Sequence, residues 1–271
     1  MAIVLLGLGL SSALAESREF SFGVTPQFDH RRTAAVWQPI LDELGRRTGQ
    51  RFVLTGVPGQ DEFHAAVLRG THDFVYANPY YTMLALKQQQ YRVLVRDYGQ
   101  PLYGVLVVRR DSGYQSPGEL AGKTIAFPSP NALGASLMLR ADLARHFKLH
   151  FSPHYVQSHS SVYLNVAQRL AEAGGGVQKT LEVQPEAIRS QLRVIHKTQE
   201  IPPHPVMAHV RVPAELRAKI RTALIEMSAS DAGRALLAEV PFHDLRAARD
   251  QDYLALDRLG LAPFFVEGGR P

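Results

Sequence analysis

The chain has 271 residues, of which 45% are hydrophobic and 20% are charged, and its formal net charge at pH 7 is +5. This composition excludes a disordered chain, and the length suffices for two lobes of ordinary size. The basic residues are scattered, without interleaved aromatic side chains, which argues against nucleic-acid binding. Because there are no cysteines, we expect no disulfide framework, no cysteine metal site and no lipid anchor on an N-terminal cysteine.

The first fifteen residues predict an export signal. The apolar run Ile3 to Leu10 precedes small residues and the A-x-A pattern of Ala13 to Ala15, which is typical of a signal-peptidase site. No basic segment precedes the run, and the alternative interpretation is a short buried strand. No later stretch has the roughly 20 apolar residues of a membrane span, so we expect an exported, unanchored periplasmic protein.

Strands and helices alternate in the first third of the mature chain. The hydrophobic pattern predicts strands at residues 19–24, 51–56, 74–77 and 91–96. Helices are predicted at residues 33–48, at residues 62–68 and after Pro79. This alternation indicates βαβ units and a mostly parallel sheet.

A second α/β unit is predicted from Leu102 onward. Its predicted elements are strands at residues 102–109, 123–127 and 193–197, a strand-to-helix step at 153–161 and a loop at Gly174–Gly176. Further predictions are a strand at residues 206–210 and helices at 214–227, 231–237 and 245–259. Two such lobes place a cleft between them, with hinges expected near Gly99–Gly104 and Pro202–Pro205.

The segment Gly122 to Ala144 is the best candidate for an anion site. A short strand ends at Pro128–Asn131, and leucines at helical spacing begin at Leu133. The free N–H groups at such a helix start bind anions. The segment has no GxxxxGK[ST] and no GxGxxG, which favours a small oxyanion over a nucleotide.

Five segments in order resemble the periplasmic substrate-binding proteins of phosphonate, phosphite and phosphate ABC transporters. They are Gly23 to Gly49, Asp73 to Thr82, Tyr103 to Ser136, His154 to Val177 and Ile201 to Ile220. The resemblance implies an α/β, two-lobed type II periplasmic binding fold that closes on a small phosphorus oxyanion. Residues 16–102 and 205–271 are expected to form lobe 1, and residues 103–204 lobe 2, after a signal peptide at 1–15.

The resemblance places ligand contacts on two loops of lobe 2. In the first, Ser129, Asn131 and Ser136 are candidates, with backbone N–H groups, although Ala132–Gly134 stand where the family carries hydroxyl residues. The alternative is an ordinary turn with Asn131 as helix cap. The second loop contains Ser158, His159 and Ser160, and His159 matches the family's ligand-contacting histidine. Its alternative is a capping serine beside an exposed histidine.

In lobe 1, Asn78 and Tyr80 follow a strand and precede a helix, where ligands bind in such sheets. Gln27, after the first strand, is a candidate of the same kind; the alternative for the tyrosines is half-buried packing. His204 stands where relatives that take aminoalkyl phosphonates carry an acidic residue. We therefore hypothesise a preference for phosphate, phosphite or uncharged alkyl phosphonates; the alternative is a hinge residue without ligand contact.

Neither a metal site nor an enzyme is predicted. His146, His150 and His154 have helical spacing, but Pro153 interrupts the helix and no carboxylate completes a ligand set. No GxSxG, no HExxH and no recognisable pair of carboxylates is present. We expect no cofactor.

The sequence thus indicates a monomeric receptor that delivers an oxyanion to an inner-membrane permease. Two alternatives stay open: a module of the same fold that signals to a sensor kinase, and a receptor for another solute such as a sulfonate or a thiamine-like precursor.

Overall fold

The computed structural model describes residues 18–26, 30–56, 59–240 and 242–267. The predicted signal peptide and the candidate Gln27 lie outside these residues. Most of the described chain is organised around two β-sheets with helices packed against them.

Lobe 1 contains a six-stranded sheet of order β11-β4-β10-β3-β1-β2. Its strands are β1 (Glu19–Val24), β2 (Arg51–Thr55), β3 (Phe74–Tyr76), β4 (Tyr91–Asp97), β10 (Pro205–His209) and β11 (Leu245–Ala247). The first four strands run parallel to one another, as the alternating pattern predicted, and β10 and β11 run in the opposite direction.

Lobe 2 contains a five-stranded sheet of order β7-β6-β8-β5-β9. Its strands are β5 (Gly104–Arg109), β6 (Thr124–Phe127), β7 (Ser152–Tyr155), β8 (Ala173–Val177) and β9 (Leu192–Lys197). Only β5 is reversed among these described strands, because β6, β7 and β8 pair in parallel and β5 pairs antiparallel with both neighbours.

The helices connect the strands and cover the sheets. In lobe 1 they are α1 (His30–Thr48), α2 (Gln60–Leu68), α3 (Pro79–Gln88), α8 (Ala214–Ala229), α9 (Asp231–Leu237) and α10 (Asp250–Leu254). In lobe 2 they are α4 (Leu139–Arg145), α5 (His159–Ala167), α6 (Gln178–Glu182) and α7 (Glu186–Arg189). None of the described helices is both long and apolar enough to cross a bilayer.

The chain passes between the sheets twice, once after β4 and once after β9. The two crossing segments pair with each other through Leu102 and Ile201, whose backbone N–H groups donate reciprocally at 3.0 and 2.9 Å. Leu102 lies within the first predicted hinge, Gly99–Gly104, and Ile201 directly precedes the second, Pro202–Pro205.

One predicted loop is a strand. Gly174–Gly176 were expected to form a loop, but they lie in β8, at the centre of the lobe 2 sheet. The glycines are needed because other backbone and side chains approach the strand closely. A Cβ on Gly175 would lie 2.1 Å from the carbonyl oxygen of Ala135, and one on Gly176 would lie 2.0 Å from Tyr163 Oη. The composition that suggested a loop therefore reflects close packing.

Two other predictions also need correction. The helix predicted at 245–259 begins as β11, which pairs with β4, and becomes helical only at Asp250. The helix predicted from Leu133 starts as a π-helical segment, Leu133–Met138, and continues as α4. Its start allows Gly134 to lie directly on β5, where a Cβ on Gly104 would be 2.0 Å from the Gly134 carbonyl oxygen.

Candidate functional site

The candidate site lies where the loop after β3 meets the loop after β6. Asn78 caps α3, since its Oδ1 accepts from the Tyr80 N–H at 2.8 Å. Its Nδ2 donates to the carbonyl oxygen of Asn131 in lobe 2 at 3.3 Å. The carboxyl ends of a strand from each lobe therefore face each other, which is where ligands bind in open α/β sheets.

The residues that replace the family's hydroxyl run pack between the lobes. Ala132 and Leu133 are buried in one hydrophobic cluster that also contains Phe63, Val75 and Tyr80 of lobe 1. Ala132 and Leu133 thus contribute apolar contact at the position where the resemblance places hydroxyl residues in the family. Ser136, on the same π-helical segment, is fully buried, and its hydroxyl has no partner within the described chain.

The other two candidates of this loop already have partners. Ser129 Oγ donates to Gln60 Oε1 of α2 at 3.0 Å, which joins the lobes. Asn131 is held by the C-terminal segment (residues 259–267): its Nδ2 donates to the Val266 carbonyl at 2.7 Å and its Oδ1 accepts from the Val266 N–H at 3.0 Å. Nδ2 also contacts Tyr81 Oη at 3.3 Å. Here Asn131 binds a neighbouring segment and does not cap a helix.

The second loop of lobe 2 places His159 at the start of α5. Ser158 is the helix cap, because its Oγ accepts from the Ser161 N–H at 3.1 Å. Ser160 Oγ accepts from Gln184 Nε2 at 3.3 Å. His159 Nδ1 is buried without a hydrogen-bond partner among the described residues. Burial lowers the pKa of His159 to about 4, so the imidazole is neutral near pH 7.

His204 is surrounded by groups from both lobes. Its ring stacks on Tyr76, with centroids 5.4 Å apart. Burial, followed by the nearby His159 and Lys179, lowers the pKa of His204 to about 3. Lys179, at the start of α6, reaches across to Asp97 at the end of β4, with Nζ 3.5 Å from Oδ2. The cleft therefore contains one ammonium group and neutral imidazoles.

The carboxylate of Asp97 is fully engaged. It is 1% exposed, and one of its oxygens accepts from the backbone N–H groups of His243 at 2.9 Å and Asp244 at 2.7 Å. These bonds, the positive charge of Lys179 and a further bond from the Gly99 N–H outweigh the desolvation that opposes ionisation, so the pKa of Asp97 is lowered. Asp97 is therefore ionised, and its carboxylate is bound by backbone N–H groups of lobe 1 and by the ammonium of Lys179.

Tyr80 is mainly a packing residue. It is buried in the cluster shared by the lobes, and its ring lies 5.5 Å from that of Phe265 in the C-terminal segment. Burial raises the pKa of Tyr80, so its hydroxyl is a neutral donor. The packing role given above as the alternative for these tyrosines therefore describes the contacts of the Tyr80 ring.

Within the described residues, no group of three histidine or acidic side chains is arranged to hold a metal ion. His146 ends α4, and His154 lies on β7, so the helical spacing of His146, His150 and His154 does not place them on one helix face.

Comparison with known proteins decides the family. Residues 22–253 match the model of a family described as the periplasmic substrate-binding protein of the phosphonate ABC transporter. The chain belongs to this family. The chain is therefore a substrate-binding component of a transporter and not an enzyme, and its family implies a small ligand and a membrane permease as partners.

Solved structures of several other proteins share the fold. A binding protein component of an ABC phosphonate transporter from Pseudomonas aeruginosa superposes with a TM-score of 0.75 at 20% identity, covering 90% of this chain and 86% of that one. PhnD1 from Prochlorococcus marinus, in complex with methylphosphonate, superposes with a TM-score of 0.80 at 15% identity, covering 90% of this chain and 98% of that one. XAC2383 from Xanthomonas citri, bound to chloride, superposes with a TM-score of 0.76 at 17% identity, covering 91% of this chain and 98% of that one. These likenesses show a two-lobed type II periplasmic binding fold.

Three features of the cleft were missed in the sequence. The first is the pair Gln60 and His64 on α2. A histidine on a helix face that carries both polar and apolar residues is usually a packing residue, so His64 gave no functional signal. Lys179 follows the glycine strand that was read as a loop, so its place at a sheet's carboxyl end was hidden. The C-terminal segment contains no motif. For Gln60 and His64, their spacing of four residues was the available signal, since it places both on one helix face.

Proposed function

We propose that this receptor captures a small phosphorus oxyanion without an ammonium substituent, such as methylphosphonate, phosphite or phosphate, in the cleft between the lobes. The captured ion is delivered to an inner-membrane ABC permease. The observation that carries the proposal is the set of groups around His204: Lys179 supplies positive charge, His159 supplies a neutral imidazole, and the nearby carboxylate of Asp97 is engaged.

His159 is the central ligand contact in this proposal. It stands at the N-terminus of α5, where free backbone N–H groups and the helix dipole favour an anion. Ser136 and backbone N–H groups of the π-helical segment complete the lobe 2 side, with Ser158 and Ser160 beside His159. Asn78 and Tyr80 contribute from lobe 1, His204 contributes from the crossing segment before β10, and Ser129 and Asn131 hold the lobes around the ligand.

The charge of the cleft disfavours aminoalkyl phosphonates. An ammonium group on the ligand requires a free carboxylate or an acceptor cluster. Near His204 it would meet the ammonium of Lys179, while Asp97 already accepts backbone N–H bonds. The methylphosphonate complex of PhnD1, which shares the fold, supports a ligand of the uncharged-substituent class.

Titration calorimetry with methylphosphonate, phosphate, phosphite, sulfate and 2-aminoethylphosphonate tests this proposal. We expect methylphosphonate to bind with a Kd at least about ten-fold lower than 2-aminoethylphosphonate, because the ligand ammonium would find no free carboxylate beside the paired Lys179 and Asp97. The Lys179→Gln variant should reduce that ratio. A preference for the amine would overturn the proposed selectivity, and no heat with any phosphorus oxyanion would overturn the proposed ligand class.

A further inference from the structure

His64 lies on the face of α2 that is turned toward lobe 2. One turn earlier on the same helix, Gln60 accepts the hydroxyl of Ser129 across the lobes at 3.0 Å. Residues four apart share a helix face, so His64 continues this face into the molecule. Its neighbour Phe63 packs in the hydrophobic cluster that both lobes share. The side chain is therefore placed at the inner end of the contact between α2 and the β6 loop.

His64 has an unusual deficit of hydrogen bonds. It is 3% exposed, and both ring nitrogens are buried without a partner among the described residues. Each other side chain in that state has one such atom. Buried polar groups are nearly always bonded, and an exception calls for an unseen water, ion or ligand. A neutral imidazole offers one donor and one acceptor, and here neither is used.

Two tyrosines on either side of the β3–α3 loop stack on imidazoles of the cleft, one from α2 and one from the crossing segment before β10. His64 stacks on Tyr81, with ring centroids 3.5 Å apart and planes at 10°. His204 stacks on Tyr76, at the end of β3. Burial is the largest cause that lowers the pKa of His64, so its imidazole is neutral near pH 7. Both rings are thus held by tyrosines at the carboxyl end of β3 and the start of α3. A fixed ring loses little freedom on binding, which suits it to positioning a ligand.

We propose that His64 is a ligand-contacting residue, whose imidazole bonds an oxygen of the bound phosphorus oxyanion from the lobe 1 side, opposite His159. The inference rests on the proposed function. The oxygen that binds His64 occupies a bonding position that the protein leaves empty, and the ligand gains a contact from each lobe. Closure of the lobes and ligand capture are coupled through this pair of histidines.

Three substitutions test the role of His64. His64→Phe keeps a ring on Tyr81 and removes both nitrogens, whereas His64→Asn and His64→Gln each keep an amide near one ring nitrogen. Calorimetry with methylphosphonate and phosphate should show a Kd raised about ten-fold or more in His64→Phe. At least one amide variant should remain within about three-fold of the wild type. The melting temperature of the ligand-free His64→Phe protein should not fall, because no existing bond is lost.

His72 supplies the matched control. It is also a buried histidine of lobe 1 with an unpartnered Nε2, but its Nδ1 bonds Thr55 Oγ1 at 3.0 Å and its ring packs on Phe63. His72→Phe should leave the Kd within about two-fold of the wild type.

An unchanged Kd in His64→Phe would overturn the inference while leaving the proposed function intact. Equal loss of affinity in all three His64 variants would also overturn it, since an amide near a ring nitrogen would then restore no binding. If the wild type binds none of these ions, the proposed function fails, and the inference fails with it.

Discussion

At the scale of residues, the cleft is built from histidines that stay neutral. His64, His159 and His204 are desolvated, and burial is the largest cause of the lowered pKa in each. A neutral imidazole donates a hydrogen bond without requiring a counter-charge, which suits a buried position. The positive charge of the cleft resides on Lys179, which Asp97 balances.

These histidines make stability depend on pH. Their pKa values in the folded protein, about 3 for His64 and His204 and about 4 for His159, lie below the ordinary value of 6.5. Between pH 6.5 and 4 the unfolded chain therefore binds more protons than the folded protein. The contribution of these histidines to the free energy of unfolding is complete above pH 6.5. It decreases on acidification, by up to about 1.4 kcal/mol per pH unit for each fully buried histidine.

Urea denaturation at pH 7, 6 and 5 measures this loss. His64→Phe should reduce the dependence, because it removes one of the three histidines whose pKa is lowered by burial. A free energy of unfolding that stays constant or rises from pH 7 to pH 5 would contradict the account.

The sequence was sufficient to find some of these residues. His159 and His204 lie in segments whose order and loops could be matched, and both were predicted as ligand contacts. His64 and Lys179 depend on the contact between lobes, which no local pattern encodes. Asn131 is the reverse case: its place after a strand predicted an anion contact, yet Val266, 135 residues away, binds its side chain.

At the scale of elements, β8 shows how composition can mislead. The chain order of strands was predicted well, because β1 to β6, β9 and β10 have hydrophobic patterns of their own. The run Gly174–Gly176 has no side chains to form such a pattern. Its strand character comes from pairing with β5 and β6 and from α5 and the π-helical segment lying directly on it.

Gly175→Ala should therefore destabilise the protein strongly. The new Cβ would lie 2.1 Å from the Ala135 carbonyl oxygen and 2.5 Å from the Phe127 ring, so the π-helical segment would have to move. Overpacking of this kind costs about 1–3 kcal/mol or more of unfolding free energy. Gly113→Ala is the control, since nothing lies within 4 Å of its Cβ position. Equal stability of the two variants in urea denaturation would contradict the packing described for β8.

At the scale of the whole molecule, the two lobes are in direct contact. One hydrophobic cluster includes residues of both lobes, and polar bonds join Gln60 to Ser129, Asn78 to Asn131 and Asp97 to Lys179. The C-terminal segment adds a connection, because Arg140 of α4 donates to the carbonyl oxygen of Phe264 and Arg145 donates to that of Leu259 at 2.8 Å. These contacts describe a closed arrangement of the two lobes.

Ligand binding in this closed arrangement is the central claim. It places the phosphorus oxyanion between the carboxyl ends of β3 and β6, held by histidines from opposite lobes. The family establishes the kind of receptor, while the position of the ligand and its contacts are what we propose from the cleft geometry. A ligand bound elsewhere would leave the neutral histidines and Lys179 without a role.

A crystal structure of the protein grown with methylphosphonate tests this claim most directly. The account predicts phosphonate oxygens within about 3 Å of a ring nitrogen of His159 and of His64, the ordinary length of such bonds. His204 and Lys179 should line the same cavity. Methylphosphonate bound outside the cleft, or in the cleft without contact to His159, would contradict the account.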